Sequence, residues 1–460
     1  MNEGKENRAA VSGGSNKRIW IYPKLIIGSL YRYRSWTSYI LLATLFAAPF
    51  LKINGEQLVL LDVLGRKFVI FGILFMPQDF YLFVLALLTF MVFIVLFTAV
   101  FGRVWCGWAC PQTIFMEMVF RRIEYWIEGD AKQQKELNSA PMSAIKFFKK
   151  TAKHFLFVLI SFLIANVFLA YIISSDALIK IVTEPVQQHV YGFGAILIFT
   201  AVFYLVFARI RELVCTVICP YGRLQEVLLD RKSLVVAYDY IRGEPRGHVQ
   251  KSGSETTGDC VDCGLCVQVC PTGIDIRMGT QMECINCTAC IDACDMVMEK
   301  THRPLRLIGF KSEEEISDKK AFRFSKRVYA YACILVILFG TLTTLLISRS
   351  DIGATILRAS GTLYQLRNDG TVSNLYNAEL INKTSGAIDF TISMPDKQTR
   401  IQYINKSGKI QKGESVKLTF FLIRPQQYIN EYKSGVTLGI VSGGKVISRA
   451  KTTFIAPPNL

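Results

Sequence analysis

The stretch FYLFVLALLTFMVFIVLFTAVF, residues Phe80–Phe101, holds no charged side chain, and GRVWCGWACP, residues 102–111, follows it directly. An α-helix rises 1.5 Å per residue, so about 20 apolar residues cross the ~30 Å hydrocarbon layer. The first stretch therefore reads as a membrane span. The second puts two cysteines and a proline at its end. Working outward, 155–173, 191–208 and 328–347 are also of spanning length. The run 36–51 is shorter, but Tyr33 and Arg34 extend it, with the Arg reaching back to the headgroups. The expected fold is thus a polytopic α-helical membrane protein with five transmembrane helices. The run 68–76 is too short to cross, and Pro77, Gln78 and Asp79 separate it from Phe80. Hiding five such runs as buried helices of a soluble core is the weaker alternative.

Composition agrees. In 460 residues, 51% are hydrophobic and 19% charged, which excludes a disordered or collagen-like chain. The first ~18 residues read as a polar tail with Gly13, Gly14 and Ser15, and no cleavable signal peptide is expected. Lys plus Arg exceed Asp plus Glu by 53 − 36 = 17. Lys17, Arg18, Lys24, Arg32 and Arg34 precede the first span. Arg103, Arg121, Arg122, Lys146, Lys149, Lys150 and Lys153 lie between the second and third. Arg209, Arg211, Arg223, Arg231, Lys232, Arg323, Lys326 and Arg327 lie between the fourth and fifth. The other two loops hold only Lys52, Arg66 and Lys67 in one and Lys180 in the other. By the positive-inside rule the N-terminus is cytoplasmic and the last part of the chain exported. The basic surplus is topology, and no nucleic-acid partner is expected.

Beyond 347 the texture changes to alternating segments rich in β-formers: 372–381, 387–394, 416–423, 436–441 and 446–455. Asn368-Asp369-Gly370, Lys412-Gly413 and Ser442-Gly443-Gly444 are turn signals between them. About seven short strands of this kind suggest an immunoglobulin-like β-sandwich. The region has no Cys or His and one Met, Met394, so a scaffold or partner-binding role is favoured over catalysis.

Twelve of the 13 cysteines fall in four clusters. Cys260, Cys263, Cys266 and Cys270-Pro271 form one run, and Cys284, Cys287, Cys290 and Cys294 a second. This is bacterial ferredoxin spacing, in which three thiolates wrap one [4Fe–4S] cube and the fourth serves the other cluster. One cluster is therefore assigned to Cys260, Cys263, Cys266 and Cys294, the other to Cys284, Cys287, Cys290 and Cys270. Asp295 stands where Pro would usually follow the second run. Zinc sites lack this paired spacing, and a cytoplasmic location disfavours disulfides.

An internal repeat is the less ordinary feature. Cys106-x-x-x-Cys110-Pro111 ends the second span and Cys215-x-x-x-Cys219-Pro220 the fourth. The match continues with Glu117 and Glu226, then Arg122 and Arg231. Cys-x-x-x-Cys places two sulfurs on one helical face, one turn apart, and the Pro breaks or kinks the helix. If the repeats pack together, four thiols converge at the cytoplasmic membrane edge. Soft sulfurs suit Cu(I), Zn or an iron–sulfur centre, or act as two redox dithiols. Plain helix-end packing is the alternative, and the repetition weakens it. Cys333, alone in the fifth span, reads as filler. The four histidines are His154, His189, His248 and His302, none at mid-membrane depth, so a transmembrane bis-His haem is not expected.

On these motifs and their order, the chain resembles the FixG/CcoG/RdxA family of cytochrome oxidase accessory proteins over nearly its whole length. The resemblance implies a bacterial inner-membrane oxidoreductase that reduces Cu(II) to Cu(I) for assembly of cbb-type cytochrome c oxidase. Cys106, Cys110, Cys215 and Cys219 would then face copper. Two [4Fe–4S] clusters are the expected cofactors, with copper as a further metal. Oxidase assembly factors or a copper chaperone are the implied partners, and an oligomer is allowed. The electron donor stays open. The expected organisation is a cytoplasmic tail over 1–35, then helices 1–4 with the first Cys-Pro motif over 36–212. A cytoplasmic segment over 213–327 carries the second motif and a ferredoxin-like insert at about 255–300. The fifth span covers 328–347, and a periplasmic immunoglobulin-like β-sandwich covers 348–460. Two other readings stay open: a quinol or ferredoxin electron conduit of the periplasmic nitrate or nitrous oxide reductase type, and a non-catalytic redox-sensing assembly scaffold.

Overall fold

Among the described residues, four helices are long and apolar enough to cross a membrane: Phe80–Phe101, Ala144–Ile173, Val190–Ile210 and Lys326–Ile347. The computed structural model describes residues 20–457 apart from 54, 64, 66, 76–78, 248–257, 360, 362, 385, 395, 397, 406, 407 and 430. Gly13, Gly14, Ser15, Lys17, Arg18, Arg66, Pro77, Gln78 and His248 lie outside the described residues, as do the side chains of Lys67 and Glu226. The apolar window of Lys326–Ile347 buries none of its residues against protein, and that of Ala144–Ile173 buries 39%. Such faces are stable against hydrocarbon, because a helix satisfies its own backbone hydrogen bonds there.

The run read as the first span forms a helix with other bounds, Ser29–Ala47. Its polar residues Arg34, Ser35 and Ser38 are buried against protein. Arg32, Arg34 and these serines lower its hydropathy, and it is not among the four apolar helices.

Chain contacts divide the molecule into two bodies. The first takes in the chain up to Ala48 with Leu87–Ala170 and Ser175–Phe339. Its core includes Phe120, Phe157 and Phe207, with the Phe120 and Phe207 rings stacked at 4.4 Å. Within it the insert is closed by an antiparallel pair, Val235–Tyr238 with Ile308–Lys311. The insert therefore extends well beyond 255–300.

The second body comprises Pro49–Ala86, Tyr171–Ser174 and Gly340–Leu460. One of its sheets orders Arg400–Tyr403, Ser415–Pro425, Thr371–Asn382 and Ile352–Arg358, all antiparallel. A second sheet pairs Thr391–Ser393, Lys433–Ser442 and Lys445–Ile455. Fully buried Tyr376, Phe420, Leu422, Leu438 and Ile440 belong to one core. The Tyr376 hydroxyl donates to Thr453 O at 2.8 Å, and the Asn374 amide donates to Ile455 O at 2.8 Å. The expected turns occur where left-handed backbone is needed: Gly370 has φ +72° and Gly413 φ +66°. Sequence reading missed a three-stranded meander, Val59–Asp62, Lys67–Ile70 and Ile73–Phe75. Its Leu60, Val69 and Leu74 pack on Ile381 of the sandwich. These strands are only three or four residues long, and from sequence the run 68–76 reads as no more than an apolar stretch too short to cross.

Candidate iron–sulfur and thiol centres

The two ferredoxin runs fold alike at the residues between their cysteines. Asp262 and Gly264 flank Cys263 with φ +50° and +65°, and Asn286 and Thr288 flank Cys287 with φ +51° and +67°. Asp, Asn and Gly adopt left-handed backbone most readily. Thr288 does so at a cost, and its hydroxyl donates to Cys287 O at 2.6 Å. These tight loops turn successive cysteines inward. A short helix, Leu265–Gln268, then stops ahead of Cys270-Pro271. In the second run Asp295 replaces the Pro, and the helix Ala289–Lys300 continues through Cys294. Asp295 Oδ1 accepts the Arg306 N–H at 2.8 Å, so the substituted position anchors a later loop.

Two cavities result. One is lined by Cys260, Cys263, Cys266 and Cys294. The other is lined by Cys270, Cys284, Cys287 and Cys290, with Cys266 in the shared wall. The fourth cysteine of each run, Cys270 or Cys294, thus lines the cavity of the other run. Among the described residues, no three Cys, His, Asp or Glu side chains gather tightly enough for a single metal ion. Four sulfurs spread around a cavity fit a cube with iron at its corners, and the donor set is all thiol. Burial pushes the Cys266, Cys284 and Cys294 thiols up to about 12 and Cys287 to about 11. Buried thiols give up their protons when bound metal takes the charge.

The Cys-x-x-x-Cys-Pro motifs differ from expectation. Cys106 lies in the short helix Val104–Trp108, but Cys110 lies beyond it at φ −65°, ψ 124°. Cys215 lies in the π-helix Val214–Ile218, and Cys219 follows at φ −73°, ψ 110°. Neither pair shares one helical face. A proline disfavours helical backbone at the residue before it, and proline suits the first position of a new helix. Both second cysteines are thus held extended at a helix break, and helices restart at Pro111 and Pro220.

The four thiols still sit within electrostatic reach of one another. Burial pushes Cys106 up to about 11 against the opposing pull of the Arg103 guanidinium, and burial with the neighbouring Cys110 thiol pushes Cys215 up to about 12. Burial also raises Cys110, against the opposing pull of the Gln112 and Thr113 backbone N–H groups. Thr113 Oγ1 is buried and faces the Cys110 and Cys215 thiols. Cys106 Sγ donates to Gln225 Oε1 at 3.0 Å. Cys333 is exposed in the Lys326–Ile347 helix.

The two thiol systems meet at Gly107. A Cβ there would stand 2.4 Å from Ile285 O and 3.0 Å from Cys287 N. Cys106, Ile285 and Cys287 form one buried apolar cluster, with Tyr221 and Ala289 packed against it. Arg34 Nε donates to Gly107 O at 2.8 Å, and the Arg103 guanidinium bonds Met282 O. Asp292, between Cys290 and Cys294, accepts the Leu30 N–H at 3.1 Å and the Tyr31 N–H at 2.7 Å. Sequence reading missed these contacts. The only local signal was a glycine between two tryptophans.

A buried ion network braces this junction. Arg211 donates to both oxygens of Glu124, at 2.9 and 2.7 Å. Lys153 and Lys150 each reach Glu128 at 2.9 Å. Arg121 pairs with Glu117 at 2.5 Å and donates to Pro271 O at 3.2 Å, next to Cys270. Buried charges persist only when matched in this way. The repeat's outer residues do not share roles: Arg122 bonds Ser35 Oγ at 2.8 Å, whereas Arg231 is exposed near Asp318. His154 Nδ1 pairs with Tyr204 Oη at 3.0 Å and His189 with Glu184 at 2.5 Å.

Comparisons with known proteins agree with this arrangement. A family described as a 4Fe-4S dicluster domain matches residues 210–313. One described as a 4Fe-4S binding domain matches residues 83–130, whose cysteines are Cys106 and Cys110. One described as an IG-like fold at the C-terminal of FixG matches residues 342–457. Protein RdxA of Cereibacter sphaeroides is 35% identical over 380 residues, covering 79% of this chain and 80% of that protein. Protein RdxB of the same organism is 34% identical, with 82% of each covered. Nitrogen fixation protein FixG of Rhizobium meliloti is 33% identical, covering 82% of this chain and 79% of its own.

Proposed function

The chain belongs to the FixG/RdxA family of iron–sulfur proteins, and from that premise we propose that it carries electrons to Cu(II) at the membrane edge. The product Cu(I) would serve assembly of a cbb-type cytochrome c oxidase. The observation that carries this reading is the backbone contact between Gly107 and the Cys287 loop. Cys260, Cys263, Cys266 and Cys294 would hold one [4Fe–4S] cluster, and Cys270, Cys284, Cys287 and Cys290 the other. When bound, these clusters supply one-electron transfer.

The chain's own residues then account for the rest. Gly107 lets the Cys106 turn approach the insert with no side chain between them. Ile285, Tyr221 and Ala289 keep that contact dry. Cys106, Cys110, Cys215 and Cys219 present thiols to copper, which enters as substrate. Thiolate ligands favour Cu(I) over Cu(II), which raises the copper couple's potential and favours reduction. Each Cu(II) takes one electron, and the leaving thiol protons pass to water. In the topology proposed, Ser29–Ala47 completes a set of five spans. The N-terminus and both cysteine systems face the cytoplasm of a bacterial inner membrane. In that topology a cytoplasmic tail precedes Ser29, helices 1–4 run from there to about 212, a cytoplasmic segment covers 213 to about 325, Lys326–Ile347 is the fifth span, and a periplasmic sandwich covers 348–460.

The test uses purified protein with reduced clusters and no free reductant. Adding Cu(II) is expected to bleach the reduced signal and yield Cu(I), while a quinone leaves it unchanged. Oxidation by quinone alone would instead support an electron conduit. Oxidation by neither would leave a redox-sensing scaffold.

A further inference from the structure

The second body contains a polar cavity of about 350 Å³ at the end of an apolar helix. Its apolar wall includes Leu346 and Ile347, the last residues of Lys326–Ile347, together with Ile73. Its polar wall carries Arg349, Lys383 and Lys412 beside Glu56 and Asp351. Two chain connections fix the level of this cavity. Arg349 stands two residues beyond Ile347, and Asp79 stands one residue before Phe80. Arg349 Nη2 and Asp79 Oδ2 meet at 2.6 Å, so the ends of two apolar helices are tied together by one ion pair. Lys383 Nζ closes on the other Asp79 oxygen at 2.6 Å. The cavity therefore lies where the apolar layer gives way to water.

We infer that this cavity holds the headgroup of a zwitterionic phospholipid, one bearing both a phosphate and an ammonium group. It rests on Phe80–Phe101 and Lys326–Ile347 being membrane spans, not on the copper chemistry. Asp79 is already matched by two cations, and Lys412 pairs with Glu56 at 3.0 Å. The cations Arg349, Lys383 and Lys412 balance Asp79, Glu56 and Asp351, so neither a lone anion nor a lone cation is favoured. One donor is left over: Arg349 Nε is buried without a hydrogen-bond partner, in a side chain 10% exposed. A phosphate oxygen supplies its acceptor, because guanidinium groups bind phosphate through charge-assisted hydrogen bonds. Glu56 and Asp351 lie on the same wall to receive the ammonium. Leu346, Ile347 and Ile73 meet the glycerol and the first acyl carbons. The neighbouring turn presents Phe71, 72% exposed at φ +52°, a backbone region that aromatic residues rarely adopt. An exposed aromatic beside span ends suits the membrane interface, where such rings are enriched.

The test titrates delipidated full-length protein with a short-chain phosphatidylethanolamine and counts bound lipid by native mass spectrometry. Saturation at one lipid per chain is expected. Arg349→Lys keeps the charge beside Asp79 but removes the Nε donor. Lys412→Glu leaves the Asp79 cluster untouched. Each is expected to weaken binding about tenfold, with the iron–sulfur absorbance unchanged as a control for folding. Unchanged affinity in both variants would overturn the assignment. So would equal competition by inorganic phosphate, or tighter binding of phosphatidylglycerol.

Discussion

The eight cysteines of the insert and the four at the helix breaks show how differently sequence spacing can translate into geometry. In the insert, spacing and backbone agree. Left-handed residues at Asp262, Gly264, Asn286 and Thr288 turn each run around its own cavity, and the fourth cysteine crosses to the neighbour. At the breaks, the proline decides instead. Cys110 and Cys219 leave the helix that holds their partners, so a spacing of four does not place two sulfurs on one face. A loop that encloses a cofactor is specified by nearby residues. A site built from two distant helix ends depends on how they pack.

Loss of cluster ligands has the largest expected effect. The full chain is expected to carry about eight irons. Cys270→Ser combined with Cys284→Ser should leave about four, since both belong to one cavity. Cys270→Ser combined with Cys260→Ser should leave almost none. Iron and sulfide analysis giving the opposite pattern would refute the crossed assignment.

Gly107→Ala sharpens the link between the two systems. The added Cβ must displace the Ile285–Cys287 backbone. Iron content is expected to stay at the wild-type level, while copper reduction slows roughly 10- to 100-fold, as misplacement of about an ångström can do. Stopped-flow reduction on iron-matched samples measures this. An unchanged rate would mean that electrons do not pass at this contact.

Much of the insert was legible because its information is local: spacing, a Pro after Cys270 and turn-forming residues between cysteines. The apolar helices were legible for the same reason, and the Phe80–Phe101 bounds match the sequence reading. The junction was not legible. Gly107 matters because Ile285 and Cys287, far along the chain, pack against it. Arg121 matters because Pro271 O needs a donor. The meander was hidden for a related reason: its Leu60, Val69 and Leu74 are apolar toward Ile381, a partner more than 300 positions away.

A smaller effect concerns the hairpin that closes the insert. Burial alone would raise the Asp239 pKa, but the Lys311 ammonium at 2.7 Å and the Arg242 N–H at 3.1 Å hold it below the usual carboxylate range. A carboxyl with a lower pKa folded than unfolded stabilises the fold above the unfolded value, near 4. That contribution disappears as pH falls through the lower folded value. Wild-type and Asp239→Asn proteins are therefore expected to differ in thermal midpoint by a constant amount above about pH 5. The gap should close below about pH 3. A gap independent of pH would assign Asp239 a purely steric role.

On the proposed route, thiols at the helix breaks, and not the clusters alone, deliver electrons to copper. Replacing Cys106, Cys110, Cys215 and Cys219 together by Ser tests it most directly. Cluster absorbance and Cu(I) formation are followed on the same reduced preparation after Cu(II) is added. Intact clusters that remain reduced, with little Cu(I) formed, are the expected result. Full copper reduction at the wild-type rate would contradict it, and the four cysteines would then be structural or hold another group.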